Sequence, residues 1–357
     1  MLESIISLPP SLLNILGAFA SLTPTKYIVF PQDLTFAEIH NFLLKFILLN
    51  SHFQQYPPAS QYQTSFWKSA VEHVEAITDS ENDEIDSQIY DHYVDLMSMT
   101  STQTVGSAPP SPSYVTYFWT TSDGVSHSAT LLESRTTIEG GTTGLKTWPA
   151  SLTLANYLIT HSDVIQNKRI LELGCGIGLL GVIAATLQIP ASPEKPQDAQ
   201  SAICLTDVRI DVLERCQSNL DLPCNGSSRH PNISTRLLDW SDALNPSGQN
   251  ELQQVLTAMS PDLILGADVV FDPAAIPSLV ATLSMTLKLP TSGPQSREAL
   301  IALTIRNPDT IALFLDSARR QLHVEELDVA DNKSAFFGIP QANKSHNVKI
   351  YRLCYVR

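Results

Sequence analysis

The stretch "LELGCGIGLLG", residues 171–181, decides the fold of the larger, C-terminal part of this 357-residue chain. Glycines stand at positions 174, 176, 178 and 181, directly after an apolar run with the composition of a buried strand. Because glycine lacks a Cβ, glycines at this spacing let the backbone turn tightly and approach a ligand. The stretch therefore predicts a strand, a glycine-rich turn and a helix whose N-terminus lies near a ligand.

Two ligands are compatible with these glycines. Gly176, Gly178 and Gly181 form the G-x-G-x-x-G pattern of a dinucleotide site. In the other register Glu172 comes first, and the pattern is E-x-G-x-G-x-G through Gly174 and Gly178, which suits S-adenosylmethionine. The loop alone therefore leaves two classes open, an NAD-dependent oxidoreductase and a methyltransferase.

Strand-like apolar runs alternate with helical patterns from residue 169 onward. The runs are "RILELG", "SAICLTD", "STRLLD", "DLILGAD" and "ALIALTIR", and the chain ends in a last strand, "HNVKIYRLCYVR". Such alternation predicts a mostly parallel sheet with helices on both faces, which is a Rossmann-like α/β fold.

Acidic and aromatic residues at the strand ends favour the methyl donor. Glu172 would repel a pyrophosphate but could help to hold a cationic donor, and Asp207 can accept hydrogen bonds from ribose hydroxyls in either cofactor class. Asp239 can bind an adenine amino group, and the indole of Trp240 can pack on the adenine ring. Gly181 then marks a place where the first helix packs closely on the sheet. The predicted cofactor site comprises Glu172, Gly174, Cys175, Gly176, Gly178, Asp207, Asp239 and Trp240.

The fourth strand ends in "GADVVFDP", which supplies candidates for the acceptor side of the reaction. Methyl transfer needs an in-line nucleophile, so positioning and exclusion of water supply most of the rate. A lysine acceptor must lose a proton from a free pKa of about 10.4, which a dry pocket favours. Asp268 can orient the amine, and Phe271 can offer it a ring face. Because a carboxylate alone would raise the pKa of the amine, we expect Asp268 to act first in positioning.

The motifs "ELGCGIG", "LLDW" and "GADVVFDP", preceded by "GGTTGLKTWPAS", resemble those of the seven-β-strand (class I) protein-lysine methyltransferases. Asp268 and Phe271 match the family's D-x-x-Y/F signature, and the resemblance covers residues 113–357. It implies S-adenosylmethionine as cofactor and a protein lysine as acceptor. It also adds Trp148 and Ala267 to the residues that line the cofactor pocket.

Within that family, "TTGLKTWPASLTLANYL" and "ALTIRNP" resemble the elongation factor 2 lysine methyltransferases. The resemblance implies a protein partner, translation elongation factor 2. Two alternatives stay open beside it, the NAD-dependent oxidoreductase and a non-catalytic interaction module with a methyltransferase fold. An eroded site should have lost glycines or acidic strand ends, and this chain keeps both.

The predicted domain organisation has three parts. Residues 1–101 read as a small helical domain for partner recognition, 102–112 as a linker, and 113–357 as the methyltransferase domain. Asp123-Gly124 predicts a hairpin turn, and the Pro- and Ser-rich insertions at positions 190–201 and 289–298 predict surface loops. As further candidates for the acceptor entrance we take Arg306, Phe336 and Phe337.

Composition limits the partners and the location. The net charge of −14 argues against direct nucleic-acid binding, which usually needs a basic face. Five cysteines without a C-x-x-C pair argue against a metal site or a disulfide framework. The apolar N-terminus is split by Pro9-Pro10, and no apolar run reaches the ~20 residues that span a bilayer. We therefore expect a cytoplasmic, monomeric protein without a membrane segment.

Overall fold

The computed structural model divides the chain into two compact units. Unit 1 comprises Met1–Glu139 with Ser334–Pro340, and unit 2 comprises Gly140–Lys333 with Gln341–Arg357. Most of the predicted linker and of the predicted loop at 190–201, and half of the predicted loop at 289–298, fall outside the residues that the structure describes. The described residues are 8–78, 83–103, 110–189, 201–290, 296–328, 334–339 and 347–355.

Unit 1 is built mainly from helices around an aromatic core. Thr35 begins α2 with a capping box, since its side chain accepts from the Glu38 backbone while Glu38 accepts from the Thr35 backbone. In the core, the rings of Phe19 and Phe66 lie 4.6 Å apart. The helices are α1 (Pro10–Ala20), α2 (Phe36–Phe42, continued by a π-helical turn over Leu43–Leu48), α3 (Ser51–Gln55), α4 (Ser60–Ala76) and α5 (Ser87–Gln103).

A β-hairpin completes unit 1. Strands β1 (Ser113–Thr120) and β2 (Ser126–Glu133) pair antiparallel, and Gly124 has the positive φ (+82°) that such a turn favours. The prediction assigns this hairpin to the methyltransferase domain, whereas the units divide after residue 139. The reason is packing, because Phe118 of β1 is buried in the aromatic core of the helices.

Unit 2 contains a seven-stranded sheet in the order β5-β4-β3-β6-β7-β9-β8. The pairs among β3 to β7 are parallel, and β9 runs antiparallel between β7 and β8. This confirms the predicted Rossmann-like class I sheet. The strands are β3 (Arg169–Leu173), β4 (Ala202–Asp207), β5 (Ile233–Leu237), β6 (Leu263–Ala267), β7 (Glu298–Thr304), β8 (His323–Leu327) and β9 (Val348–Cys354).

Apolar helices cover the sheet of unit 2. A Cβ added to Gly181 would lie 2.6 Å from Cδ1 of Leu205 in β4, which confirms the predicted close packing at this glycine. No helix in the described part of the chain is long and apolar enough to cross a membrane. The helices are α6 (Pro149–Thr160), α7 (Leu179–Gln188), α8 (Ile210–Leu220), α9 (Gln249–Met259), α10 (Ile276–Leu287) and α11 (Pro308–Arg319).

The centre of the sheet fixes where a ligand can bind. Strand β3 pairs with β4 on one side and with β6 on the other, although β6 comes two strands later in the chain than β4. In open α/β sheets, ligands bind beyond the carboxyl ends of the strands at such a switch point.

Candidate active site

A cavity of about 700 Å³ lies beyond the carboxyl ends of β3, β4, β5 and β6, entirely within unit 2. Eleven of the twelve residues that the sequence predicts for the site line it. They are Trp148, Glu172, Gly174, Cys175, Gly176, Asp207, Asp239, Trp240, Ala267, Asp268 and Phe271. The twelfth, Gly178, does not line the cavity.

The glycine-rich turn after β3 forms one wall of the cavity. Gly174 (φ +64°), Gly176 (φ +53°) and Gly178 (φ +92°) are all left-handed, a conformation that residues with a Cβ rarely adopt. A Cβ at Gly176 would lie 3.0 Å from the carbonyl oxygen of Gly144. At Gly178 it would lie 2.8 Å from Sγ of Cys216. The first two glycines therefore shape the wall, whereas Gly178 allows α7 to begin tightly against α8.

Glu172 is a buried carboxyl group with an unmet hydrogen-bonding atom. The residue is 3% exposed, and its Oε2 has no partner among the described residues. Burial, and then the negative charge of Asp207, raise the pKa of Glu172 well above its usual value. An unpartnered carboxyl oxygen on a cavity wall is suited to a donor or a cationic group of a ligand.

Two other predicted carboxylates serve the loops that carry them. Asp207 accepts from the backbone N–H of Gly176 at 3.4 Å and of Arg209 at 3.1 Å, and burial raises the pKa of Asp207. Asp239 accepts from the backbone of Ser241 at 2.8 Å. Each carboxylate thus fixes a loop, while both residues remain on the cavity wall.

The end of β6 carries a strained and highly connected aspartate. Asp268 has a φ of +53°, a left-handed conformation unusual for a residue with a Cβ. Its Oδ1 accepts from the Thr304 backbone at 2.8 Å, and its Oδ2 accepts from Oγ1 of Thr304 at 2.9 Å and from Arg306 at 3.0 Å. Phe271 is 66% exposed. This end of the cavity therefore joins a fixed carboxylate to an open aromatic ring.

The loop before α6 contributes residues that the sequence did not single out. Thr142, Thr143, Gly144 and Thr147 line the cavity, and Thr143 accepts through its carbonyl oxygen from Nε1 of Trp148 at 3.0 Å. The glycine and threonine content of "GGTTGLKT" was the available signal, since small polar residues let a loop lie against a ligand.

Of the three candidates for the acceptor entrance, Arg306 lines the cavity, but Phe336 and Phe337 do not. Phe336 is 5% exposed and its ring lies 6.1 Å from that of Trp119 in unit 1. Phe337 donates its backbone N–H to Phe118 at 2.9 Å and packs against the core of unit 1. Both are engaged in unit 1, so they do not line this cavity, and their role at the acceptor entrance stays a prediction.

The sheet order, the glycine cradle and the acidic strand ends together define a class I methyltransferase. A protein-family model described as lysine methyltransferase matches residues 129–318. Protein-lysine N-methyltransferase EFM3 of Chaetomium thermophilum is 30% identical, over 74% of each chain. Protein-lysine N-methyltransferase EEF2KMT of Bos taurus is 30% identical, over 73% of this chain and 71% of that protein.

Among solved structures, a TehB-like SAM-dependent methyltransferase from Corynebacterium glutamicum gives a TM-score of 0.37 at 16% identity. The match covers 60% of this chain and 90% of that one. The chain belongs to the lysine methyltransferase family, and it is a protein-lysine N-methyltransferase that uses S-adenosylmethionine. Membership of this family rules out the alternative of an NAD-dependent oxidoreductase that the glycine loop alone left open.

Proposed function

We propose that this enzyme methylates a lysine of translation elongation factor 2. The likeness to EEF2KMT of Bos taurus over most of both chains supports this choice of acceptor. A cytoplasmic location follows from that acceptor.

Unit 1 is the candidate surface for recognising the partner, since it carries none of the cavity-lining residues and is built from a separate core. The enzyme is proposed to act as a monomer.

The cofactor half of the cavity is proposed to lie along β3, β4 and β5. When bound, S-adenosylmethionine supplies a methyl group on a positively charged sulfur. Glu172 would face the cationic part of the donor, because its buried, unmet oxygen gains a partner there. Asp207 would accept from ribose hydroxyls, and Asp239 with Trp240 would hold the adenine. Gly174 and Gly176 have no side chain to project into the cofactor half, and their left-handed backbone lets the loop lie close to the cofactor.

The flanking residues complete the cofactor half. Trp148, Cys175 and Ala267 are proposed to contact the cofactor through their size and shape. Gly178 does not line the cavity, and its proposed role is to fix the start of α7.

The acceptor half is proposed to lie at the end of β6. Asp268 accepts a hydrogen bond from the lysine amine and orients it, while the exposed ring of Phe271 covers the aliphatic chain or the nitrogen. The amine loses one proton to solvent, and its lone pair then forms the new N–C bond as the electrons of the S–C bond pass to sulfur. The carrying observation is that a fixed carboxylate and an open aromatic ring line the same cavity as the glycine-rich turn.

The test is methylation of purified elongation factor 2 by this protein with labelled S-adenosylmethionine, followed by mass spectrometry of the product. We expect mass gains in steps of one methyl group, about 14 Da, on a lysine peptide, and none with heat-inactivated enzyme. Label found only on other proteins, on RNA or on small molecules would refute the proposed acceptor. Asp316→Asn serves as a matched control for aspartate variants, because Asp316 is exposed on α11 and does not line the cavity.

A further inference from the structure

Arg306 follows β7 and stands beside Asp268 on the cavity wall. Its Nη2 lies 3.0 Å from Oδ2 of Asp268, and its guanidinium carbon lies 4.6 Å from the ring centroid of Trp148. The Arg306 side chain is 49% exposed, whereas that of Asp268 is 9% exposed. Arg306 thus presents a positive charge to the cavity while an ion pair and an aromatic face hold it in place.

We propose that Arg306 is a positioning residue that holds the Asp268 carboxylate ready for the acceptor amine and, through its positive charge, favours the neutral, nucleophilic form of that amine. This inference deepens the proposed function and rests on the placement of the acceptor at Asp268.

The positioning role follows from counting hydrogen bonds. A carboxylate can accept about four of them, and Asp268 already accepts three, two from Thr304 and one from Arg306. These contacts fix the plane of the carboxylate and leave one acceptor position for a lysine amine. That free position is on Oδ1, since Oδ2 already accepts two of the three, so an amine bound there at about 2.9 Å would lie within about 8 Å of Nη2 of Arg306.

The charge role follows from the other groups on the wall. The charged and titratable side chains that line the cavity are Lys146, Glu172, Cys175, Asp207, Arg209, Asp239, Asp268, Asp272 and Arg306. Acidic groups outnumber basic ones, and Arg209 is paired with Asp211 at 2.8 Å. Acidic surroundings attract a protonated lysine, but they also make it keep its proton. Arg306 offsets the charge of Asp268, the carboxylate assigned to the amine.

The expected size of the effect is modest, because half of the Arg306 side chain is exposed and solvent screens its charge. A like charge about 8 Å away lowers the pKa of an amine by roughly one unit where the effective dielectric constant is about 20–40. Loss of the Arg306 charge should therefore raise the apparent pKa of the bound lysine by about one unit. Below that pKa, the methylation rate would fall about tenfold.

The experiment is single-turnover methylation with enzyme in excess, because its rate at saturating enzyme reports ionisations within the bound complex. A cytosolic extract from cells that lack this protein supplies the acceptor, with S-adenosylmethionine labelled on its methyl group. Rates are measured between about pH 6.5 and 9.5, a range chosen to lie below the free lysine pKa. The variants are Arg306→Gln, Arg306→Lys and Thr304→Val, with Arg306→Met as a second neutral variant should the glutamine variant not fold.

The neutral variants should shift the inflection of the pH profile upward by about one unit, with near-normal rates at the highest pH. Arg306→Lys should restore the wild-type inflection, since it keeps the charge. Thr304→Val should lower the rate equally at every pH, since it removes a hydrogen bond and no charge. Neutral variants whose profiles coincide with wild type, or run parallel below it, would overturn the inference.

Separating the labelled extract on a gel distinguishes failure of this inference from failure of the proposed function. A labelled band other than elongation factor 2 would refute the proposed acceptor while leaving the Arg306 profile readable. An unchanged rate in Asp268→Asn would refute the placement of the acceptor, and with it the inference. The affinity for S-adenosylmethionine, measured by calorimetry, should stay within about twofold of wild type in every Arg306 variant. That change is much smaller than the tenfold change in methylation rate that a shift of one pKa unit produces. A larger loss would move Arg306 to the cofactor side and overturn the inference.

Discussion

The ends of β3 and β6 each present an acidic residue to the same cavity, but the two are prepared differently. Glu172, at the end of β3, is buried with an unmet oxygen and a raised pKa. Asp268, just after β6, accepts three hydrogen bonds, one of them from the cation of Arg306. Burial with one oxygen left unmet favours a ligand that brings a donor or a positive charge. A carboxylate held by its neighbours instead favours orientation of a group that arrives from outside.

Under the proposed function, this difference matches the two strand ends to the two substrates. The donor is a cofactor that fills the cavity, so its contacts can be left unmet in the protein until it binds. The acceptor lysine belongs to a second protein, and its amine must meet a carboxylate whose direction is already fixed.

The largest effect should come from Asp268→Asn, which keeps the shape of the side chain and removes its charge. We expect kcat to fall on the order of 100-fold, because the amine is no longer oriented at the end of β6. Steady-state methylation of the protein acceptor measures it, and donor affinity should not change. The Asp316→Asn control should keep full activity; equal loss in both variants would point to a general effect of the substitution.

The next largest effect concerns the end of β3. Glu172→Gln should weaken S-adenosylmethionine binding by about 10- to 100-fold, the range expected when a charge-assisted hydrogen bond is lost. Calorimetric titration measures it. S-adenosylhomocysteine lacks the positive sulfur, so its affinity should fall less than that of the donor. Equal losses for both ligands would mean that Glu172 does not sense the sulfonium charge.

Gly178→Ala tests the backbone that supports the end of β3. The substitution forces a Cβ into a left-handed position (φ +92°) and within 2.8 Å of Cys216 Sγ, which should cost about 1–3 kcal/mol of stability. Thermal unfolding measures it. Adding Cys216→Ala should recover the steric part, and Gly124→Ala, with a φ of +82° and nothing within 4 Å, isolates the strain alone. If the second substitution recovers nothing, crowding at Cys216 plays no part.

The smallest effect is the dependence of stability on pH without ligand. Glu172 keeps its proton in the folded protein at pH values where the unfolded chain has released it. The stability that this group contributes is therefore complete below about pH 4.5, and it declines as the pH rises through the raised pKa.

Glu172→Gln should remove that decline. Its stability should match wild type near pH 5 and exceed it by about 1–3 kcal/mol at pH 8, or several degrees in melting temperature. Thermal melts at the two pH values measure it. A variant that is less stable than wild type at pH 8 would mean that hydrogen bonds to the ionised carboxylate, such as that from the Gly181 backbone, outweigh the cost of its burial.

Much of the sheet and most of the site could be predicted, because both depend on local pattern. The apolar runs before Glu172 and Asp268 mark strands, and residues that end parallel strands meet at one edge of the sheet. Strand β8 was missed because its residues are all exposed or half-buried and form no apolar run. The hairpin of residues 113–133 joins unit 1 because Phe118 packs there, which composition does not reveal.

The difference between the two acidic ends could not be predicted, because it depends on contacts distant in sequence. Asp268 takes its partners from Thr304 and Arg306, 36 and 38 residues later in the chain. The unmet oxygen of Glu172 reflects what its neighbours do not provide. Gly178 shows the same limit, since the glycine pattern includes it but the fold turns it toward Cys216 instead of the cavity.

The most direct test is calorimetric titration of S-adenosylmethionine into Glu172→Gln and Asp268→Asn side by side. The assignment of β3 to the donor and β6 to the acceptor predicts at least tenfold weaker binding in the first variant. In the second variant, which should catalyse little methylation, it predicts a Kd for S-adenosylmethionine within about twofold of wild type. The binding free energy would then change by no more than about 0.4 kcal/mol. Weakened donor binding in Asp268→Asn, with normal binding in Glu172→Gln, would contradict the assignment.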